Sequence, residues 1–212
     1  MFHLYGAKAP WPFLQGLIRD NRPVSFFEET GLPYERISLD PMKGENRSDE
    51  YTKLNRFQKV PTLEHDGFVL TQSAAILHYL ASSTGKLYPT EAKEQAKHLE
   101  WMFFAMTDVE PHAVQIAALI PMTDEADLEH AKWMVKRAEK IISRALNYLE
   151  VELAGKQFLM GDTFYAADIL LGCCLYPIRA HQLVAERPNI RTLLGRYVDR
   201  PAFQRMLKIN GT

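Results

Sequence analysis

Residues 60–79 read VPTLEHDGFVLTQSAAILHY, and this run decides the fold. Its first half alternates as a half-buried strand does: VPTLEH is rich in β-branched residues, and FVL resumes the pattern after a break. The break is His65-Asp66-Gly67, where Asp-Gly tolerates the positive φ that a tight hairpin turn demands. The second half turns helical at Ser73, whose hydroxyl suits it to cap the run AAILHYL. A helix start carries unpaired N–H groups and positive dipole character, so the first turn after Ser73 is a natural seat for a carboxylate. Gln72, one residue earlier, adds a side-chain amide that can both donate and accept.

Val60-Pro61, a hairpin, and Gln72-Ser73 before a helix resemble the glutathione site of the glutathione transferase family. The resemblance implies that Pro61 is cis and that Val60 pairs its backbone with the cysteinyl part of glutathione. It implies also that Gln72 and Ser73 hold the γ-glutamyl carboxylate and amine. Lys59 stands where several classes of the family keep a lysine for the glycine carboxylate of glutathione; Lys43 and Gln58 could serve the same end.

The rest of the chain extends the resemblance. FHLY (2–5) is a first strand, a helix is predicted over 23–30 with Pro23 in its first turn and Gly31 past its end, and YERISL (34–39) alternates as a second strand. Residues 40–55 are polar and are expected to contain an irregular helix, followed by the hairpin and a helix to about 83. This βαβαββα order resembles the thioredoxin-like domain that opens every glutathione transferase, and SFFEETGLPYERISLD is close to the family's usual helix end and second strand. The linker TGKLYP leads to a region with helical periodicity only: 91–119 with a break at Pro111, then 125–153, 166–183, 191–198 and 201–208. The expected plan is a thioredoxin-like α/β domain over 1–83, a linker over 84–90, and an all-α domain over 91–212. GDTFYAADILLG resembles the family's capped buried helix, in which an aspartate reaches back to the cap's amide; here Asp168 is present but the cap position holds Tyr165, so Asp168 acts alone or with Thr163.

Composition narrows the class. The chain has 212 residues, 47% hydrophobic and 24% charged, with net charge −1, which suits a globular protein and gives no basic surface for nucleic acid or an anionic membrane. No apolar stretch spans a bilayer and the first residues carry no leader pattern, so a cytoplasmic protein is expected. Cys173 and Cys174 are adjacent and imply no disulfide, and no spacing of ligands implies a metal.

The family activates glutathione from the loop after the first strand or from the start of the first helix. A free thiol has a pKa of about 8.5 and only its thiolate attacks, so one donor or cation beside a helix start accelerates the reaction. Here the loop GAKAPWPFLQGLIRDN is several residues longer than in most members and holds no serine, threonine or cysteine. Asn21, Arg19 and Tyr5 are the candidate thiolate partners, with the backbone amides of the helix start as a fourth; Trp11, Pro12 and Phe13 could form a lip over the pocket. The second substrate is expected between the domains, against the WMFFAM stripe with Trp101 and Phe104. Three functions follow: conjugation of glutathione, as co-substrate, to a hydrophobic electrophile; glutathione-dependent disulfide reduction; or a non-catalytic binding module that kept the fold. The serine-serine-cysteine motif of maleylacetoacetate isomerase-type members is absent, which argues against that activity. The family's usual two-fold homodimer is expected by resemblance.

Overall fold

The computed structural model describes residues 1–7 and 16–211, which form two compact units. One is Met1–Tyr88 with the chain from Arg200 onward; the other is Pro89–Asp199. Trp11, Pro12 and Phe13 lie outside the described residues.

The first unit runs β1 (Phe2–Ala7), α1 (Asn21–Thr30), β2 (Tyr34–Leu39), α2 (Asp49–Leu54), β3 (Thr62–His65), β4 (Phe68–Thr71) and α3 (Ser73–Thr84). The strands order as β2-β1-β3-β4, with β1 parallel to β2, antiparallel to β3, and β3 antiparallel to β4. A parallel pair needs a crossover, and α1 supplies it. The hairpin closes with two residues, since His65 pairs with Phe68 and both Asp66 (φ 50°) and Gly67 (φ 80°) take positive φ. Gly31 ends α1 at φ 66° and donates its N–H to Phe27 O at 2.9 Å. The buried core holds Val24, Phe26 and Phe27 of α1, Leu4 and Leu63, which pair across β1 and β3, and Ile76, Leu77 and Leu80 of α3, the helix on which α1 packs.

β1 is two residues longer than expected, and α1 starts two residues earlier, at Asn21. Gly6 explains the strand: a Cβ there would lie 2.0 Å from Asp20 Oδ2, so only glycine lets the start of α1 approach this closely. The second unit runs α4 (Ala92–Phe104), α5 (Glu110–Ala118), α6 (Leu128–Glu152), α7 (Ala166–Leu175), α8 (Gln182–Ala185) and α9 (Pro188–Val198). The last helix, α10 (Pro201–Gly211), packs on α1 rather than with these helices. Arg200 bonds Glu29 at 2.5 and 2.8 Å, Arg205 bonds Glu28, and Asn210 Nδ2 donates to Asn21 Oδ1.

The break expected at Pro111 appears just before it, as a π-helical turn over Ala105–Val109. Proline cannot donate to the carbonyl four residues back and its ring crowds that carbonyl, so the preceding turn widens. Along α6, Ala131, Val135, Ala138, Ile142, Leu146 and Leu149 are buried at helical spacing, whereas Trp133 and Ile141 face outward. α7 is shorter than the predicted 166–183, because Pro177 diverts the chain into a single 3₁₀ turn. Every residue of α7 is buried, and Gly172 meets the Tyr197 ring where a Cβ would stand 2.4 Å away.

The start of α7 is satisfied in a way only partly legible beforehand. Asp168 accepts from the N–H of Tyr165 and of Leu159, both at 2.9 Å. The hydroxyl that would cap the helix is replaced by His98 of α4, whose Nε2 accepts from Ala167 N–H at 3.1 Å. A buried amide left without its acceptor costs about 1–3 kcal/mol. Asp168→Ala orphans two, so we expect it to lower stability by about 3 kcal/mol and the melting temperature by roughly 6–12 °C. Thermal and urea unfolding check this, and His98→Ala should show about half that loss.

Candidate functional site

Three backbone features of the first unit fall at the residues that the resemblance assigns to glutathione. Val60-Pro61 is cis, as the resemblance implies. Gln72, exposed at the end of β4, takes φ 71° and ψ 110°, an unusual conformation for a residue with a Cβ. Ser73 is the first residue of α3, with Gln72 rather than Ser73 at the cap position. No side chain at the cap accepts from the first amides of α3, so among the described residues its positive end has no side-chain cap.

The Ser73 hydroxyl does something other than cap. It accepts from Arg22 Nη1 at 2.6 Å, in a contact buried from solvent. Arg22 lies in the first turn of α1, and α1 packs beside α3. Both side chains are about 4% exposed. Sequence reasoning passed over Arg22, yet a signal was there: it precedes the buried Phe26 by four residues and so shares its face.

The turn before β3 is held from behind. Tyr51 Oη and Asn55 Nδ2, both from or beside α2, donate to Lys59 O at 2.7 and 2.6 Å, and both also bond Thr62 Oγ1, at 2.8 and 3.0 Å. The Val60-Pro61 pair is therefore clamped on each side by one buried network. The Lys59 side chain itself is exposed. Gln58 takes φ 54° and spends its side-chain amide on Thr52, and Lys43 lies 3.8 Å from Asp40.

The candidate thiolate partners separate. Tyr5 stands on β1 with its ring against Tyr51; burial and the Glu64 carboxylate push its phenol above the ordinary range, and its hydroxyl donates to Glu64 Oε2 at 3.4 Å. Asn21 is 2% exposed, with Oδ1 taken by Asn210. Arg19 is exposed, two residues before α1. The backbone-amide alternative loses its donors: Asn21, Arg22 and Val24 give their N–H groups to Ile18 O, Arg19 O and Asp20 O, and Pro23 has none. Trp101 and Phe104 touch edge to face, ring centroids 5.4 Å apart, but open onto different cavities of the helical unit. Trp101 lines one of about 290 Å³ with Lys93, Lys97 and Met160; Phe104 lines one of about 470 Å³ with His112, Ile141, Arg144 and Tyr148. No cluster of metal-ligating side chains occurs among the described residues.

Just before α1, the fully buried Asp20 bonds Arg36 Nη2 at 2.9 Å, and the same nitrogen donates to Ala7 O at 3.0 Å. Burial pushes the Asp20 carboxyl up to about 6, against the pull of Arg36.

The sequence matches the domain described as Glutathione S-transferase, N-terminal domain, over residues 14–82, and that described as Glutathione S-transferase, C-terminal domain, over 109–201. The chain belongs to the glutathione S-transferase family. Its thioredoxin-like and all-helical units are those of the family. It is 30% identical over 190 residues to maleylacetoacetate isomerase of Dictyostelium discoideum, covering 87% of this chain and 85% of that one. It is 28% identical over 194 residues to glutathione S-transferase theta-2 of Homo sapiens, covering 87% and 78%. A glutathione transferase of Burkholderia graminis, solved with two glutathione molecules bound per subunit, superposes with a TM-score of 0.84 at 29% identity, over 98% of this chain and 87% of the other.

Asp20 yields a pH prediction. Its folded carboxyl binds a proton more tightly than an unfolded one at about 3.9, so its contribution to stability is full below about pH 4 and is lost as pH rises through about 6. Asp20→Asn should therefore gain on the unsubstituted protein by about 1.4 kcal/mol between pH 5 and pH 7.5, read as the difference of two urea-unfolding series. A gap that stays constant would contradict the buried titration.

Proposed function

We propose that this family member binds glutathione along Val60, Gln72 and Ser73, stabilises its thiolate near the start of α1, and joins the sulfur to a small electrophile with an apolar body. What carries the reading is the convergence, within one unit, of the cis Val60-Pro61 pair, the positive φ of Gln72 and the α3 start without a side-chain cap. Backbone edges pair with the peptide of glutathione, and the helix start receives the γ-glutamyl carboxylate. Lys59, exposed beside Val60, takes the glycine carboxylate. Arg19, an exposed cation two residues before α1, is the thiolate partner on this reading. A cation within about 4–6 Å of a thiol lowers its pKa by one or two units and raises the thiolate fraction at neutral pH accordingly. Phe104 lines the second-substrate pocket on this reading, with Trp101 against its ring from the neighbouring cavity, and the cavity beside Phe104 is of a size for a small aromatic ring. The protein acts as a two-fold dimer in the cytoplasm.

A second reading is glutathione-dependent disulfide reduction, in which two glutathione thiols reduce one disulfide and leave as glutathione disulfide. The relative solved with two glutathione molecules per subunit supports it.

Three measurements test the proposal. Calorimetric titration with glutathione should give saturable binding that Ser73→Ala weakens by about 1–2 kcal/mol, or roughly 5–30-fold in Kd; no heat at millimolar glutathione would end the glutathione reading. Turnover of an aromatic halide beside that of a small disulfide then separates the two reactions. In whichever reaction is active, Arg19→Gln should move the thiol's apparent pKa in the pH–rate profile upward by about one unit. An unchanged profile would remove Arg19 from the role.

A further inference from the structure

The Arg22–Ser73 contact has a chemical consequence at the α3 start. A serine hydroxyl has one proton and two lone pairs, and its proton rotates to suit its surroundings. Arginine can only donate, so at 2.6 Å from Arg22 Nη1 the Ser73 oxygen must accept there. The one hydroxyl proton is thereby turned away from the guanidinium and left to donate elsewhere. Hydrogen bonds in series polarise one another, and a charged donor strengthens the effect. Ser73 is thus held as a donor beside the positive end of α3, where its own first amides also donate.

The serine was expected to cap its helix, which would have used its oxygen as acceptor for an amide of the next turn. Instead a residue 51 positions away takes that oxygen. The arrangement is built into the core rather than laid on the surface: both side chains are nearly enclosed, and Arg22 rides on the same helix face as the fully buried Phe26. A long, flexible lysine would keep the charge but lose the fixed fork of the guanidinium.

We infer that Arg22 is a positioning residue for glutathione, aligning the Ser73 hydroxyl as a dedicated donor to the γ-glutamyl carboxylate. The inference rests on the glutathione reading of Ser73. Arg22 acts through Ser73, so its effect on binding depends on the serine oxygen being present.

A double-mutant cycle reads that dependence. Kd for glutathione is measured for the unsubstituted protein, Arg22→Met, Ser73→Ala and the double variant, with thermal unfolding of each. Arg22→Met should weaken binding about 10-fold in the presence of Ser73 but less than about 3-fold on top of Ser73→Ala. Arg22→Lys should recover part of the loss. Equal factors in both backgrounds would mean that Arg22 merely supports the fold, and would overturn the inference while leaving the glutathione site intact. No binding by the unsubstituted protein would overturn both. Should the Arg22 variants not fold, the unsubstituted protein and Ser73→Ala decide the matter with a glutathione analogue whose γ-glutamyl α-carboxylate is a carboxamide. The carboxylate should be preferred at least 10-fold, and Ser73→Ala should shrink that preference; a ratio near one in the unsubstituted protein overturns the inference.

Discussion

The arrangement of the first unit depends on one buried ion pair, Arg36 on Asp20. One nitrogen of Arg36 holds both the Asp20 carboxylate and the Ala7 carbonyl, so it fastens the end of β1 to the residue that precedes α1. Close approach is possible only because position 6 is glycine. A carboxylate without solvent is costly, and its raised affinity for a proton expresses that cost. What the pair secures is the registration of α1 on the sheet, and with it the direction in which Arg22 reaches toward α3.

From that registration the binding surface follows by short steps. α1 carries Arg22 to Ser73, and its other end is tied by Glu28 to Arg205 of the last helix and by Glu29 to Arg200 just before it. On the far side of β1, Tyr51 and Asn55 fix Lys59 and Thr62, and so the cis pair between them. Each of these backbone segments is therefore held by a side chain from a neighbouring element. The helical unit uses the same logic for stability: Asp168 and His98 accept from amides at and beside the start of α7, whose residues are all buried.

Much of this was legible in residue order. Asp66-Gly67 announced the hairpin because two consecutive positive φ values suit few other pairs, and Gly31 announced the end of α1 for the same steric reason. Val60-Pro61 and Gln72-Ser73, around one hairpin and helix start, stood out by their resemblance to the glutathione site of the family. The misreadings have physical causes. Ser73 was read as a cap because the local rule assigns its oxygen to the next turn, whereas a guanidinium from another helix competed for it and won. α7 was drawn too long because Tyr176 and Ile178 keep the apolar rhythm past the point where Pro177 ends the helix. Arg22, Asp20 and His98 were missed altogether, since a charged or polar residue on a buried helix face looks, in one dimension, like any solvated one.

The sequence by itself determined the order of strands and helices and the hairpin, because each depends on dihedral preferences and periodicities over a few neighbouring residues; the cis-proline segment and the family were legible only through the resemblance of its motifs. Tertiary structure alone decided which polar groups meet: Arg36 with Asp20 across 16 positions, Ser73 with Arg22 across 51, Ala167 with His98 across 69, Asn210 with Asn21 across 189. No local preference encodes such pairs. They exist because burial removes water as a partner, and each enclosed donor or acceptor must then take whichever group the packing of distant helices brings within reach.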